Sequence, residues 1–137
     1  MGNSPDEHDV RFLDDQIYRY NVARTGIDDG RLLAIIVRDE TGIAAGLHGF
    51  TWGRVMEVKA LWVREDLRGR GYGTQLLAAA EQEAMQRSCL QVVLDTHSFQ
   101  APEFYRRQGY EVYGILTGYP PGHSKYFMKK ALRPDAR

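Results

Sequence analysis

The chain has almost no cysteine, no long apolar run, and no excess of charge of either sign. Cys89 is the single cysteine among 137 residues. It can form no intramolecular disulfide and cannot build a thiolate zinc site alone. Lys+Arg and Asp+Glu number 18 each, so no overall basic field exists to hold nucleic acid. No apolar stretch approaches the ~18 residues of a membrane helix. Residues 1–6 show no basic-then-apolar leader, which points to a cytoplasmic chain. His8, His48, His97 and His123 are scattered with no i, i+4 pair, so no metal site is expected. There is no internal repeat and no low-complexity tract.

The composition is that of a globular protein, 43% hydrophobic and 26% charged. The length suits one domain over residues 1–137, with the polar residues 1–9 frayed. Val10, Leu13, Ile17 and Tyr20 follow helical spacing, which predicts an amphipathic helix over residues 9–24. Residues 32–37 form a continuous apolar run and read as a strand covered on both faces. Residues 43–51 and 55–63 read as the next strands of an antiparallel meander, with Gly46 and Gly49 as candidate bulges. A helix is predicted over residues 71–87, then a strand over 90–94. Ser98 is placed to cap a short helix starting near Pro102 and ending at Gly109. Strands over 110–116 and 125–132 complete a mixed α/β domain around one sheet.

The most informative segment is Arg68-Gly69-Arg70-Gly71-Tyr72-Gly73-Thr74. It leaves a strand and opens a helix. Glycines let the backbone approach a ligand closely, and a helix N-terminus presents free N–H groups and a positive dipole end. Phosphate is the natural occupant. The spacing is not that of a dinucleotide fingerprint, and the Gly-Lys-Ser/Thr of a P-loop is absent. The plainer alternative is a glycine-rich turn that only starts a helix.

The pattern Arg68-x-x-Gly71-x-Gly73, after Ala60-Leu61-Trp62-Val63, resembles the acetyl-CoA-binding motif of the GNAT superfamily of acyltransferases. Downstream, Ala101-Pro102-Glu103-Phe104-Tyr105-Arg106-Arg107-Gln108-Gly109-Tyr110 resembles the family's second signature, a helix bearing Phe-Tyr followed by Gly-Tyr. The resemblance covers residues 30–132. It implies a single mixed, largely antiparallel sheet flanked by helices, with the strands over 55–63 and 90–94 splayed around the pantetheine of CoA. The backbone of Leu61, Trp62 and Val63 is expected to pair with pantetheine, with an amide near Leu61 holding the thioester oxygen. Arg68, Gly69, Arg70, Gly71, Tyr72, Gly73 and Thr74 are expected to take the pyrophosphate.

The activity implied is direct transfer of acetyl from acetyl-CoA to a primary amine, of a small molecule or of a protein, without a metal. Glu57 matches the general base of some family members. A carboxylate is a poor base for an ammonium, so the role calls for burial or a water chain. The alternative is an exposed strand carboxylate facing Lys59. Tyr105 matches the tyrosine that donates to the departing CoA thiolate; the alternative is a packed aromatic. Tyr119 and His123, in the turn before the last strand, are candidate acceptor contacts. Family members usually carry a strand before the first helix, and here that strand is absent or very short. The expected partners are acetyl-CoA and an amine acceptor, with neither nucleic acid nor membrane, and a homodimer fits the family habit. A non-catalytic acyl-CoA binder or sensor on the same fold is the competing function.

Overall fold

Asp6 sets the start of the first helix. Its carboxylate accepts the His8 amide at 2.8 Å, satisfying one of the donors a helix leaves free at its N-terminus. The helix, α1 (Glu7–Thr25), stops at Gly26, whose φ of 74° is left-handed. The computed structural model describes residues 1–133, and within them no strand precedes α1. The meander follows as β1 (Arg31–Asp39), β2 (Gly42–Trp52) and β3 (Val55–Val63). A short 3-10 turn (Glu65–Leu67) leads to α2 (Tyr72–Gln86), β4 (Gln91–His97), α3 (Pro102–Arg107), β5 (Glu111–Thr117) and β6 (Ser124–Ala131).

The six strands form one open sheet in the order β1-β2-β3-β4-β6-β5. Every neighbouring pair is antiparallel except β3 and β4. The core lies on one face, under α2. Leu76, Leu77, Ala80 and Ala84 of α2 pack with Leu33, Leu47, Met56, Val58, Val92 and Leu94 of the sheet. Leu77 is fully buried, and truncating such a leucine to alanine costs about 2–5 kcal/mol. Helix α3 brings Tyr105 into this core beside Tyr110.

The sheet departs from the sequence reading in four places. β1 is covered on one face only: Leu33 is buried, while Leu32 and Ile36 are 76% and 42% exposed. An apolar run fits a strand equally whether one layer or two cover it, and here α2 alone does. The bulge involves Gly49 and not Gly46. His48 pairs with Ala60 and Gly49 with Val58, leaving Lys59 as the extra residue of β3. A Cβ on Gly49 would sit 2.3 Å from the Glu57 carbonyl oxygen, so only glycine permits this approach. Ser98 does not cap α3; its Oγ accepts the Ser124 amide at 3.0 Å, and α3 starts on Pro102 without a side-chain cap. Lastly, β4 runs on to His97 because β6 pairs with it that far.

Candidate active site

The parallel strands β3 and β4 pair only at Val55–Gln91, Met56–Val92 and Glu57–Val93. Beyond that rung they part, with residues 58–63 on one arm of a fork and residues 94–97 on the other. The backbone directions are fixed by the outer neighbours. The Arg64 amide donates to Ala44 O at 2.8 Å, so in the alternating ladder Trp62 also turns its N–H toward β2. Leu61 and Val63 therefore turn theirs into the fork. On the far arm, Leu132 N donates to Leu90 O at 2.8 Å. The same alternation gives residues 92, 94 and 96 to β6 and turns the Asp95 backbone into the fork. The His97 amide and carbonyl are closed off by Gln100, through Oε1 at 2.7 Å and N at 2.9 Å. The fork thus offers unpaired backbone donors and acceptors, the groups that would accept an added extended chain.

The glycine loop stands at the end of the β3 arm. Gly69 and Gly71 have φ of 75° and 89°, conformations that an L side chain rarely adopts. Gly71 is the N-cap of α2. The first intrahelical bond is Gln75 N to Gly71 O, so the N–H groups of Tyr72, Gly73 and Thr74 have no helical partner. Gly73 lies close under Phe104: a Cβ there would be 3.3 Å from the ring, which would have to give by a few tenths of an ångström. Arg68 acts within the loop, its Nε donating to Val63 O at 2.9 Å. Arg70 stays exposed. Thr74 Oγ1 accepts a long hydrogen bond from Gln108 Nε2 at 3.4 Å.

The face of the sheet away from α2 carries the candidate acid–base groups. Met56 and Val58 are buried, so Glu57 points the other way. It is half exposed, with Oε1 3.0 Å from Lys59 Nζ. On β4, Val92, Leu94 and Thr96 are buried, which turns Asp95 and His97 to the same open face as Glu57. The sequence reading gave His97 no role; alternation from Val92 would have found it had the strand been extended past Leu94. Its Nδ1 lies 3.1 Å from Tyr119 O. A carbonyl oxygen only accepts, so Nδ1 carries a proton, and in the neutral ring Nε2 is the nitrogen with the lone pair. The ring stacks on Phe99 at 5.1 Å and meets Tyr119 edge-on at 4.8 Å, and Phe99 in turn meets His123 at 5.1 Å. Tyr119 and His123 are thus brought to the β4 arm of the fork.

Tyr105 lies on the α2 side, buried against Phe104 and Tyr110. Burial, reinforced by the negative charge of Asp95, raises its pKa. The phenol therefore holds its proton more tightly and is suited to donating a hydrogen bond. A separate concavity, at the C-terminal end of α2, is lined by Asp28, Arg54, Glu83 and Arg87. The Arg87 guanidinium there is already committed, donating to Glu83 Oε2 at 2.9 Å and to Thr51 Oγ1 at 3.0 Å. Among the described residues no group of three His, Cys, Asp or Glu side chains is placed to hold a metal ion, and no helix is long and apolar enough to cross a membrane.

Comparison with known proteins gives the family. Residues 4–110 match the profile of the Acetyltransferase (GNAT) family. The chain is 35% identical over 131 residues to an acetyltransferase, Atu2258, of Agrobacterium fabrum, covering 95% of this chain and 96% of that one. It is 34% identical over 114 residues to the blasticidin-S acetyltransferase of Streptomyces morookaense, covering 80% and 84%. A crystal structure of an acetyltransferase from Bacillus cereus superposes with a TM-score of 0.79 at 32% identity, covering 96% of this chain and 97% of that one.

Proposed function

The chain belongs to the GNAT acetyltransferase family, and on that premise we propose that it is an N-acetyltransferase, moving acetyl directly from acetyl-CoA to a primary amine. The observation that carries this reading is the fork, with unpaired backbone groups of Leu61 and Asp95 and the N–H of Val63 turned into it and the free N–H groups of α2 at its mouth. Pantetheine is an extended chain of amides and would pair with those edges as an added strand. The pyrophosphate would sit on the amides of Tyr72, Gly73 and Thr74. Trp62 would contribute its half-exposed indole and not its backbone, which β2 uses.

In the reaction the amine attacks the thioester carbon, the carbon–sulfur bond breaks, and CoA leaves as thiolate. The Leu61 amide would hold the developing oxyanion. The attacking nitrogen loses its proton on the open face, to Glu57 or to Nε2 of His97, directly or through water. Tyr105 would donate a hydrogen bond to the leaving sulfur from the opposite side. Tyr119 and His123, packed with His97 and Phe99, would line the acceptor side.

Calorimetry of acetyl-CoA with the wild type and with Gly71→Glu tests the reading. Micromolar binding is expected for the wild type. The variant should lose it, because a charged side chain at φ 89° both strains the loop and repels phosphate. Release of free thiol is then followed with an amine panel: blasticidin S, a polyamine and a lysine peptide. Failure of the wild type to bind acetyl-CoA overturns the proposal. Binding without turnover on any amine would favour a non-catalytic acyl-CoA binder.

A further inference from the structure

The chain carries fourteen arginines and only four lysines, Lys59, Lys125, Lys129 and Lys130. A lysine can give up a proton and become a nucleophile, whereas an arginine stays charged. These four side chains are therefore the amines through which the chain itself could take an acetyl group. The fold treats them differently. Lys130 lies on the α2 side, with Nζ 2.9 Å from Glu81 Oε1. Met128 is buried, which turns Lys125 and Lys129 to the opposite, open face. There Lys125 Nζ is 3.4 Å from Asp95 Oδ1 and sits over the rings of Tyr119 and Phe127. Lys129 Nζ sits over the Tyr113 ring. Lys129 is in register with Glu57 through Val93, two strand spacings or roughly 10 Å away.

Lys59 stands apart from these three. It is the extra residue of the bulge opposite Gly49, between Val58 and Ala60. Its Nζ meets Glu57 Oε1 at 3.0 Å, and both side chains are half exposed. Exposed ion pairs are held weakly, so the ammonium can leave the carboxylate and return. Glu57 closes the last rung before the fork. Leu61, whose amide would hold the thioester oxygen, follows two residues after Lys59, roughly 7 Å along the strand. A flexible four-carbon stem spans that distance. The Lys59 nitrogen thus stands where an acceptor nitrogen has to stand, against the candidate base and within reach of the thioester.

We propose that Lys59 is a self-acetylation site, which takes one acetyl group from acetyl-CoA held in the fork of the same chain when no acceptor is bound. The inference rests on the acetyl-transfer reading and adds a substrate to it. The Lys59 ammonium passes one proton to Glu57, and the freed amine attacks the thioester carbon. A carbon–nitrogen bond forms, the carbon–sulfur bond breaks, and CoA leaves with the bond's electron pair as thiolate. The second proton of the nitrogen goes to the thiolate, directly or through water, and Glu57 returns the first to solvent. The product is a neutral amide, so the reaction stops at one acetyl per chain and the ion pair with Glu57 is lost.

The full chain is incubated with acetyl-CoA and no amine, and followed by intact-mass and peptide mass spectrometry. One acetyl per chain is expected, on Lys59, at a rate per chain that dilution does not change. Free CoA in excess should suppress it by competing for the fork. Glu57→Gln should slow it about 10²-fold or more. Lys59→Arg keeps a cation beside Glu57 and cannot be acetylated, so the acetyl should vanish without moving to Lys125, Lys129 or Lys130. An unmodified Lys59 in a chain that turns over the amine panel overturns the inference and leaves the acetyl-transfer reading standing. Acetyl spread evenly over the four lysines, or indifferent to free CoA, overturns it in favour of chemical modification by the thioester in solution. So does a rate that rises with chain concentration, or one undiminished in Glu57→Gln. Failure of the wild type to bind acetyl-CoA in calorimetry overturns both readings together.

Discussion

Glu57 and Val93 form the last rung between β3 and β4, and beyond them the two parallel backbones part. This rung puts a carboxylate at the root of the fork, on the face away from α2. His97 reaches the same face from the other arm, its tautomer set by Tyr119 O.

Glu57→Gln therefore tests which group takes the proton. If Glu57 is the base, kcat falls about 10²–10⁴-fold, while calorimetry shows acetyl-CoA affinity unchanged. Near-normal turnover would remove Glu57 from the mechanism, and the same loss in His97→Gln would transfer the role to the imidazole.

Tyr105→Phe removes the phenol and keeps the ring that packs on Phe104 and Tyr110. Losing one hydrogen bond to a charged leaving group should lower kcat about 10–100-fold without a fall in thermal stability. The raised pKa adds a sign. The phenol stays protonated through neutral pH, so loss of activity through its ionisation should begin only above its ordinary value near ~10. A wild-type rate insensitive to the hydroxyl would leave Tyr105 as packing alone.

Gly73→Ala sets about 1 kcal/mol of gained helix propensity against the pressure of the new methyl on the Phe104 ring, so its net effect on stability should stay within about 1 kcal/mol. A double-mutant cycle with Phe104→Leu, read by urea unfolding, should show coupling of about 0.5–3 kcal/mol. Additive losses would mean that the ring moves aside freely.

The Arg64 cluster predicts a dependence on acid. Its guanidinium meets Asp39 at 2.8 Å and Asp66 at 2.6 Å, and these bonds hold both carboxyl groups below the usual carboxylate range. Groups with lowered folded-state pKa stabilise above the unfolded value near ~4 and lose that contribution as pH falls. The Tm gap between wild type and Arg64→Met should be widest near neutral pH and should close as the carboxylates protonate. A gap constant down to strongly acidic pH would show that the cluster contributes nothing through charge.

Local chemistry carried most of the chain's reading. The glycines around Arg70 announce a loop entering a helix, since few other residues tolerate the φ found at Gly69 and Gly71. The element order followed from periodicity, and the two signatures around Gly71 and Tyr105 pointed to the family. His97 escaped because the apolar run stops at Leu94, while the strand continues on backbone bonds to β6. Ser98 misled because a serine before a helix can bind any nearby amide, and in the fold Ser124 offers one.

The sequence by itself determined which segments are strand and helix, and which loop leaves free helix-end amides, because dihedral preference and unpaired helix-end groups are local properties. Only the tertiary structure decided which backbone groups face the fork, since that depends on which neighbours have already taken Trp62 and Leu94. It also decided that Leu32 and the stripe of α1 stay uncovered. Both are apolar in the sequence, and burial is a relation between surfaces that no single segment contains.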